Sequence, residues 1–356
     1  MSIAKAIILC AGEGTRLRPL TSLCPKHLLP VAGQPLVGWV LNDLAAVGIR
    51  EVGLVVGYHA DAMMRYVGEG AQWDLGITYL TQEQPLGLAH AVNTAREFVG
   101  DQPFLVYLGD NVLEAGLAEF VNRFSESQAD VSMLVKEVDD PRQYGVVELE
   151  GEAVVRMVEK PAQPRSNLAI VGVYALNPVI FDAIDHIQPS ARGEYEITDA
   201  IQWVLDNQGQ VTAHKLDGFW GDVASPGDLL STNRFFLDRV ALVVDGPIND
   251  NSQLYGQVGV GTDSWVIESN ITGPVIIGNN SVIENCAIGP YVSVGDGCHV
   301  VDSGLRNCIV RDSCSVRGVQ LADSVLGENV EVIEAGGSPD QPLSLVVGDL
   351  TRIRPT

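Results

Sequence analysis

The sequence predicts an α/β protein: a doubly wound mixed, mostly parallel sheet with flanking helices, followed by a short parallel β-helix. Two observations predict this fold class. Short apolar runs alternate with helical periodicity through the first two thirds of the chain, and aliphatic residues recur every six positions in the last third. A chain of 356 residues is long enough for about two domains, each with a core of its own.

The first predicted elements form βαβ units. Ala6–Ala11 is apolar throughout and too short for a helix, which indicates a strand buried on both faces. Apolar residues from Leu36 to Val47 recur at spacings of three and four, and Gly48 follows as a helix stop. Further elements are a helix at 88–98 and strands at 52–56, 77–80 and 104–108. Since ligands bind beyond the carboxyl ends of such strands, we expect the chemistry in the loops after the first, third and fourth strands.

A last helix and a turn-rich linker end this region. The helix start has a cap, a first-turn proline and a first-turn acid, at Ser225, Pro226 and Asp228, and we expect the helix to run to about Val240. Residues 245–251 are rich in turn formers and poor in apolar residues. We therefore predict domains at 1–243 and 244–356.

The last third contains a six-residue repeat, which is typical of a parallel β-helix. The repeated positions are Ile276, Val282, Ile288, Val294 and Val300. The period slips after Val300, resumes at Val310 and Val316 and fades near Val332, before a turn-rich segment at 336–342 and a last strand near 345–347. The successive hexads 288–293 and 294–299 resemble the left-handed β-helix hexapeptide family, which implies a left-handed coil of only a few turns.

Composition limits the partners and the compartment. The formal net charge of −23 repels nucleic acid phosphates and anionic lipids, so an anionic ligand needs a local basic pocket. The six cysteines lack zinc-type spacing, and the N-terminal residues lack a signal peptide's architecture. No apolar run reaches the roughly 18 to 20 residues of a membrane span. We expect a reduced cytoplasmic protein without nucleic acid or membrane partners.

A glycine-rich loop follows the first strand. Gly12 and Gly14 allow backbone N–H groups to approach phosphate oxygens, and Arg16 supplies positive charge. The loop lacks the third glycine of a dinucleotide fingerprint and the Gly-Lys-Ser/Thr of a Walker loop. Taken alone, it also fits an ordinary βα turn with surface arginines.

The following segment makes the pattern specific. Pro25–Val31 completes the form GxGTRLxPLT…PKxLLPV, which resembles the sugar-1-phosphate nucleotidylyltransferases. These enzymes join a nucleoside triphosphate to a sugar 1-phosphate and release pyrophosphate. The resemblance implies that the loop wraps the triphosphate, whose phosphates Arg16 and Lys26 contact. The nucleotide-binding positions that it implies are Leu9, Ala11, Gly12, Gly14, Thr15, Gln82 and Gly87.

Further matches appear in family order over the first roughly 240 residues. Gln82 with Gly87 resembles the base-recognition segment, where a side-chain amide hydrogen-bonds a pyrimidine edge; a solvated loop glutamine is the alternative. Asp110 comes directly after a buried strand, where an oxygen ligand of Mg²⁺ is expected, although a capping aspartate also fits. Trp220-Gly221-Asp222 resembles the motif whose aspartate is the second metal ligand. The resemblance therefore implies Mg²⁺ held by Asp110 and Asp222.

The sugar phosphate is expected at Glu159-Lys160, where the family's lysine binds the phosphate and its glutamate accepts bonds from sugar hydroxyls. A surface ion pair is the alternative. The implied sugar-phosphate site consists of Asn111, Tyr144, Gly145, Glu159, Lys160, Val173, Tyr174 and Trp220. Residues 194–199 match a supporting segment, with Glu196 or Asp199 behind the sugar.

The chain looks most like the long glucose-1-phosphate thymidylyltransferases, and the catalytic residues implied are Arg16, Lys26, Asp110, Lys160 and Asp222. Whether dTTP or UTP is preferred stays open, and we expect a homo-oligomer. One alternative is a bifunctional enzyme that also transfers acyl groups from acyl-CoA, for which His299 is the only histidine in the repeat. Another is a non-catalytic regulatory subunit that binds nucleotide sugars.

Overall fold

A computed structural model describes residues 3–239, 241, 243–333 and 341–354. Its chain divides into two compact units. The first unit comprises the residues up to Glu13 and Val37–Asp222, and the second comprises Gly14–Leu36 and the residues from Val223 onwards. The second unit thus includes a segment of the N-terminal sequence that the predicted boundary at 243/244 does not assign to it. That boundary stays a prediction.

The elements of the first two thirds, in chain order, are β1 (Lys5–Cys10), β2 (Pro30–Val31), β3 (Gln34–Pro35), α1 (Leu36–Ala46), β4 (Glu51–Val56), α2 (Ala60–Val67), β5 (Gly76–Thr81), α3 (Leu88–Thr94), α4 (Arg96–Val99), β6 (Phe104–Leu108), β7 (Asn111–Leu113), α5 (Ala118–Glu126), β8 (Val131–Glu137), β9 (Gly145–Glu150), β10 (Ala153–Glu159), β11 (Leu168–Leu176), α6 (Val179–His186), α7 (Ile197–Asp206), β12 (Val211–Lys215), β13 (Trp220–Asp222) and α8 (Pro226–Leu237). The mixed α/β class is confirmed. The predicted helix at 88–98 is split into α3 and α4 at Ala95.

The central sheet of the first unit has the strand order β10-β9-β11-β6-β1-β4-β5, with β8 also paired to β11 and β12 to β8. Strand β1 lies between β4 and β6 and is parallel to both. Strand β11 is antiparallel to β6, β8 and β9, so antiparallel pairing is more extensive than the sequence indicates. The loops after β1, β5 and β6 therefore leave the same edge of the sheet, where ligands are expected.

Apolar burial explains these strands. Residues Ala6–Ile8 and Phe104–Leu105 are fully buried, and all nine residues of β11 are buried. Helices α3, α6 and α7 pack their apolar residues on the same cluster, which includes Ala89, Val92, Ile180, Ala183, Ile197 and Ile201. A strand that is covered on both faces must be apolar throughout, which is the pattern read in the sequence.

The second unit contains helix α8 and a parallel β-helix. The predicted Ser225 cap is confirmed, because the Ser225 hydroxyl accepts from Asp228 N–H at 3.2 Å. The Asp228 carboxylate also accepts from Ser225 N–H at 2.7 Å, which completes a capping box that the sequence analysis does not predict. The helix ends at Leu237; Val240, its expected end, lies outside the described residues.

The β-helix strands are β14 (Gln253–Tyr255), β15 (Val258–Val260), β16 (Trp265–Ile267), β17 (Asn270–Thr272), β18 (Val275–Ile277), β19 (Val282–Glu284), β20 (Ala287–Ile288), β21 (Val292–Val294), β22 (His299–Val301), β23 (Gly304–Val310), β24 (Ser315–Arg317), β25 (Gln320–Leu326), β26 (Glu331–Ile333), β27 (Val346–Val347) and β28 (Arg352–Ile353). All are paired in parallel within two sheets. Of the turn-rich segment predicted at 336–342, residues 336–340 lie outside the described part.

Two of the predicted repeat positions, Ile276 and Val282, are wrong by one residue because of the length of the coil. Equivalent residues of successive coils lie 17 positions apart in the first coils, 16 in the next ones and 21 across the last pair of strands. Because three full hexads would need 18 positions, the interior positions shift by one relative to a strict six-residue period. Ile288, Val294 and Val300 are buried as predicted, whereas Ile276 and Val282 are only partly buried and their neighbours Ile277 and Ile283 fill the interior.

All six cysteines are buried and form no disulfide, which is consistent with interior packing at Cys286 and Cys298. Among the residues that the structure describes, no helix is long and apolar enough to cross a membrane.

A polar pair lies between helix α1 and strand β6 of the first unit. The Tyr107 hydroxyl donates to the Asp43 carboxylate at 2.9 Å, and Tyr107 is fully buried. Burial raises the pKa of Asp43 to about 6, although the Tyr107 hydrogen bond opposes this. Asp43 therefore keeps its proton in the folded protein at pH values where the unfolded chain has lost it.

This pair predicts a measurable pH dependence of stability. Between about pH 4 and 6, the Asp43 contribution makes the unfolding free energy fall as pH rises, by about 3 kcal/mol in total, because the folded state binds the extra proton. Asp43→Asn removes this term. Urea unfolding of both proteins across this range should show the variant gaining relative stability as pH rises. A difference that is independent of pH would contradict the assignment.

Candidate active site

An asparagine amide links two carboxylates at the edge of the central sheet. Asp110 and Asn111 follow β6, and both are buried. Asn111 Nδ2 donates to Asp110 Oδ1 at 2.9 Å and lies 3.4 Å from Asp222 Oδ1. The two carboxylates, more than 100 positions apart in the chain, thus reach the same nitrogen.

Backbone pairing brings the second carboxylate there. Strands β13 and β7 form an antiparallel pair in which Asp222 is opposite Asn111. The side-chain oxygen Oδ1 of Asn111 accepts from Trp220 Nε1 at 2.6 Å and from Gly172 N–H at 3.3 Å. The Asn111 amide therefore makes contacts in both directions, and its observed role is to hold other groups in place. Its predicted contact with the sugar phosphate stays a prediction.

The Asp110 and Asp222 pair has the donor chemistry that Mg²⁺ prefers. Mg²⁺ is usually bound by one or two carboxylates together with waters and substrate phosphates, rather than by a cage made of protein alone. The described residues accordingly contain no group of three or more His, Cys, Asp or Glu placed to hold a metal. Two oxygen ligands held on one amide fit a cation that arrives with a phosphate substrate.

A second polar cluster lies where β10 ends. Lys160 has a backbone φ of 42°, in the left-handed region, and its N–H donates to the Tyr144 carbonyl at 2.9 Å. Its Nζ lies 3.4 Å from Glu159 Oε1. A Cβ on Gly145 would lie 3.1 Å from Glu159 Oε2, so a residue without a side chain leaves room for that carboxylate.

Aromatic residues connect this cluster with the carboxylate pair. The Tyr144 and Trp220 rings lie 5.1 Å apart at an interplanar angle of 52°. Val173 and Tyr174 are buried in β11, and their predicted sugar contacts stay predictions. Burial, with the Glu159 charge as a smaller cause, raises the pKa of Tyr174 far above its usual range. Tyr174 is therefore a neutral hydroxyl near the glutamate.

Sequence reasoning missed Arg192. Its guanidinium lies 3.6 Å from Glu159 Oε1, 3.4 Å from Glu196 Oε1 and 2.6 Å from Glu194 Oε2. It adds a second cation to the Glu159–Lys160 cluster. The sequence feature that could have indicated Arg192 is its position two residues before the segment 194–199, which matches the family.

Glu196 supports the Arg192 side chain, whereas the predicted supporting role of Asp199 stays a prediction. Glu196 is buried and accepts from the Ser190 hydroxyl at 2.8 Å. Burial raises the pKa of both Glu196 and Asp199 above the ordinary value. With Arg192 bound to Glu196, this carboxylate fixes the guanidinium beside Glu159.

The predicted base-recognition segment is a packed turn. Gln82 is buried, and its Nε2 lies 2.9 Å from His90 Nδ1 and 3.4 Å from the Gly87 carbonyl oxygen. Gly87 has a φ of 112°, and an added Cβ would lie 2.5 Å from the Tyr195 carbonyl oxygen. The backbone here is close enough to its neighbour to require glycine.

The glycine-rich loop divides between the units. Leu9, Ala11 and Gly12 belong to the first unit, with Leu9 buried in β1, and the residues from Gly14 to Leu36 belong to the second. In the second unit, the Thr21 hydroxyl donates to the Gly14 carbonyl at 2.8 Å. Gly14 has a φ of 64°, and a Cβ there would lie 3.1 Å from Lys26 Cβ. Thr15 and Arg16 are exposed on the short 3₁₀ turn Thr15–Leu17, and Lys26 begins another at Lys26–Leu28.

The first unit thus brings together the predicted residues Asp110, Asn111, Trp220 and Asp222, and separately Tyr144, Gly145, Glu159 and Lys160. Paired carboxylates and a lysine–glutamate cluster beyond the strand ends are the arrangement expected of a phosphate-handling α/β enzyme.

Comparison with known proteins agrees. The sequence model of the Nucleotidyl transferase family matches residues 5–239. A glucose-1-phosphate thymidylyltransferase of Streptomyces antibioticus is 39% identical over 352 residues, 98% of this chain and 99% of the relative. UTP–glucose-1-phosphate uridylyltransferase AglF of Haloferax volcanii is 37% identical over 227 residues, 63% of this chain and 93% of the relative.

A solved structure, described as a putative glucose-1-phosphate thymidylyltransferase from Bacillus anthracis in complex with a sucrose, matches with a TM-score of 0.62 and 32% identity. The match covers 65% of this chain and 94% of that one. The chain belongs to the Nucleotidyl transferase family.

The base segment yields a test of backbone packing. Gly87→Ala places a Cβ against Tyr195 and should lower the unfolding free energy by more than about 2 kcal/mol while weakening triphosphate binding. Gly48→Ala is the matched control, because Gly48 has a φ of 83° with no atom within 4 Å of the added Cβ. Urea unfolding and calorimetric titration measure both effects. Equal losses in the two variants would contradict the packing argument.

Proposed function

We propose that this sugar-1-phosphate nucleotidyltransferase transfers the thymidylyl group of dTTP to glucose 1-phosphate, giving dTDP-glucose and pyrophosphate. The observation that supports this proposal most directly is the Asp110–Asn111–Asp222 arrangement, in which one side-chain amide nitrogen contacts both carboxylates. The Streptomyces relative, which matches almost the full length, supports the choice of nucleotide and sugar.

The sugar phosphate is positioned by the cluster at the end of β10. Lys160 Nζ and the Arg192 guanidinium lie 3.4 and 3.6 Å from the same oxygen, Glu159 Oε1, so a sugar phosphate bound here meets two cations while the glutamate accepts from sugar hydroxyls. An oxygen of the sugar 1-phosphate attacks the α-phosphorus of the triphosphate, the bond to the β-phosphate bridging oxygen breaks, and pyrophosphate leaves. No covalent intermediate with the enzyme is required.

Charge neutralisation supplies most of the acceleration, since phosphoryl-type transfer leaves little covalent work for a protein. Asp110 and Asp222 would hold Mg²⁺, which neutralises phosphate charge when it is bound. Arg16 and Lys26 are assigned to the triphosphate on their match to the family motif, with Arg16 exposed and Lys26 partly exposed for such contacts.

UTP is the second candidate nucleotide. The Haloferax relative named for UTP is 37% identical over 227 residues, 63% of this chain. Thymine and uracil share the edge that a glutamine amide reads, and a methyl group is worth only about 1 to 3 kcal/mol in discrimination. We therefore expect turnover with both nucleotides and a higher kcat/KM with dTTP.

A substrate panel tests the proposed function. Purified protein with Mg²⁺ is supplied with dTTP, UTP, CTP, ATP or GTP and with several sugar 1-phosphates, and pyrophosphate is measured. The proposal predicts the highest kcat/KM for dTTP with glucose 1-phosphate. Release of free CoA from acetyl-CoA would favour the bifunctional acyltransferase. The histidine of the repeat on which that alternative depends, His299, is exposed on β22. Nucleotide-sugar binding without any turnover would favour the regulatory subunit.

The carboxylate pair gives a sharper prediction. Asp110→Asn and Asp222→Asn should each lower kcat by about a hundredfold or more, equivalent to about 3 kcal/mol of transition-state stabilisation, and raise the Mg²⁺ concentration required for half-maximal rate. Asp139→Asn is the control, since Asp139 is an exposed carboxylate of the same unit. Near-normal turnover in either site variant would refute the metal assignment.

A further inference from the structure

The segment Gly14–Leu36 is packed against helix α8 and the β-helix within the second unit. Asn233 of α8 is fully buried, and its Oδ1 accepts from Ala32 N–H at 2.8 Å and from the Ser293 hydroxyl at 2.8 Å. A Cβ on Gly33 would lie 3.0 Å from Ile276, one of the two residues that face away from the coil interior. One amide oxygen and one apolar contact thus tie the end of this segment to the coil.

A second connection is made through a buried arginine. Arg311 is 5% exposed, and its Nη1 donates to Asp349 Oδ1 at 3.0 Å. Its Nη2 donates to Glu328 and lies 3.4 Å from Cys24 Sγ. Cys24 is two positions before Lys26, and its thiol lies 3.4 Å from the carbonyl oxygen of Pro25 between them. The guanidinium therefore contacts the residue next to the turn that begins with Lys26.

A third contact lies in the same coil as Asp349. A Cβ added at Gly348 would lie 2.6 Å from the Pro19 carbonyl oxygen, so the two backbones are in direct contact. Pro19 and Cys24 both lie within the stretch 17–25 that separates Arg16 from Lys26, each near one end of it. The last coils thus hold both ends of the chain between the two cations.

Electrostatics make the arginine a fixed point. A buried guanidinium is strongly unfavourable unless it is paired, and both paired carboxylates come from the β-helix. Burial raises the pKa of the Cys24 thiol to about 11, so the thiol is neutral and Asp349 and Glu328 supply the balancing charge. The carboxylates set the direction of the guanidinium, and the guanidinium in turn sets the position of Cys24.

We propose that Arg311 is a positioning residue for the nucleotide: held by Asp349 and Glu328, it fixes Cys24 and through it the turn Lys26–Leu28, so the β-helix controls the affinity for the triphosphate. This rests on the proposed function, in which Lys26 contacts the phosphates. The β-helix is then a part of the substrate site's support, in addition to any role in assembly.

Kinetics on the full-length chain separate positioning from general stability. Arg311→Met should raise the KM for dTTP about tenfold and leave the KM for glucose 1-phosphate nearly unchanged. Val316→Ala is the control. This substitution removes fully buried apolar atoms from the neighbouring strand β24, and the valine side chain forms no hydrogen bond to Cys24. It should lower the melting temperature without changing either KM. Equal effects of Arg311→Met on both KM values, or the same KM change in the control, would overturn the proposal.

Milder variants guard against misfolding of the arginine variant. Cys24→Ala removes the atom that Arg311 contacts, and Cys24→Ser retains a hydrogen-bond acceptor. We expect a raised KM for dTTP in the alanine variant and recovery in the serine variant. In a double-mutant cycle, Cys24→Ala should add little to Arg311→Met, because both remove one contact. Full additivity of the two effects on the KM for dTTP would contradict the proposal that Arg311 acts through Cys24.

Hydrogen exchange keeps this proposal separable from the proposed function. Amides of residues 14–29 should exchange faster in Arg311→Met than in wild type or Val316→Ala, whether or not any substrate is turned over. If wild type forms no nucleotide sugar, the proposed function fails, and unchanged exchange in this segment independently overturns the positioning role of Arg311.

Discussion

The site depends on the side-chain amide of Asn111, which holds two carboxylates that would otherwise repel each other. Its Nδ2 reaches both Asp110 and Asp222, while its Oδ1 is held by Trp220 and Gly172. Two acids at one place become useful when a divalent cation and phosphates arrive together. The central sheet supplies the position of this amide, because β6, β7, β11 and β13 all end or pair around it.

Much of the fold could be predicted because burial dictates the sequence of central strands. Phe104–Leu108 is observed at its predicted bounds, since a strand covered on both faces must be apolar from end to end. The β-helix was predicted with an error of one position at Ile276 and Val282, because a 17-residue coil drifts against a six-residue repeat. The antiparallel pairing of β11 depends on contacts between distant strands, which local periodicity does not encode.

Short motifs predict Asp110, Lys160 and Asp222 at strand ends, and the structure has them there, while their roles in the reaction stay predictions. Arg192 was not predicted because its role depends on its spatial proximity to Glu159, a residue more than 30 positions earlier in the chain. The same limit applies to Arg311, which looks like an ordinary coil residue in sequence yet is buried between two carboxylates and Cys24. Buried charges reveal their roles only through partners, and these partners lie far apart in sequence.

A crystal structure of the wild-type protein with dTTP and Mn²⁺ in place of Mg²⁺ would test the central claim most directly. The account predicts an anomalous scattering peak within about 2 to 2.3 Å of one oxygen from Asp110 and one from Asp222, with phosphate oxygens completing the coordination. A peak that touches only one of these carboxylates, or that lies on the nucleotide away from both, would contradict it.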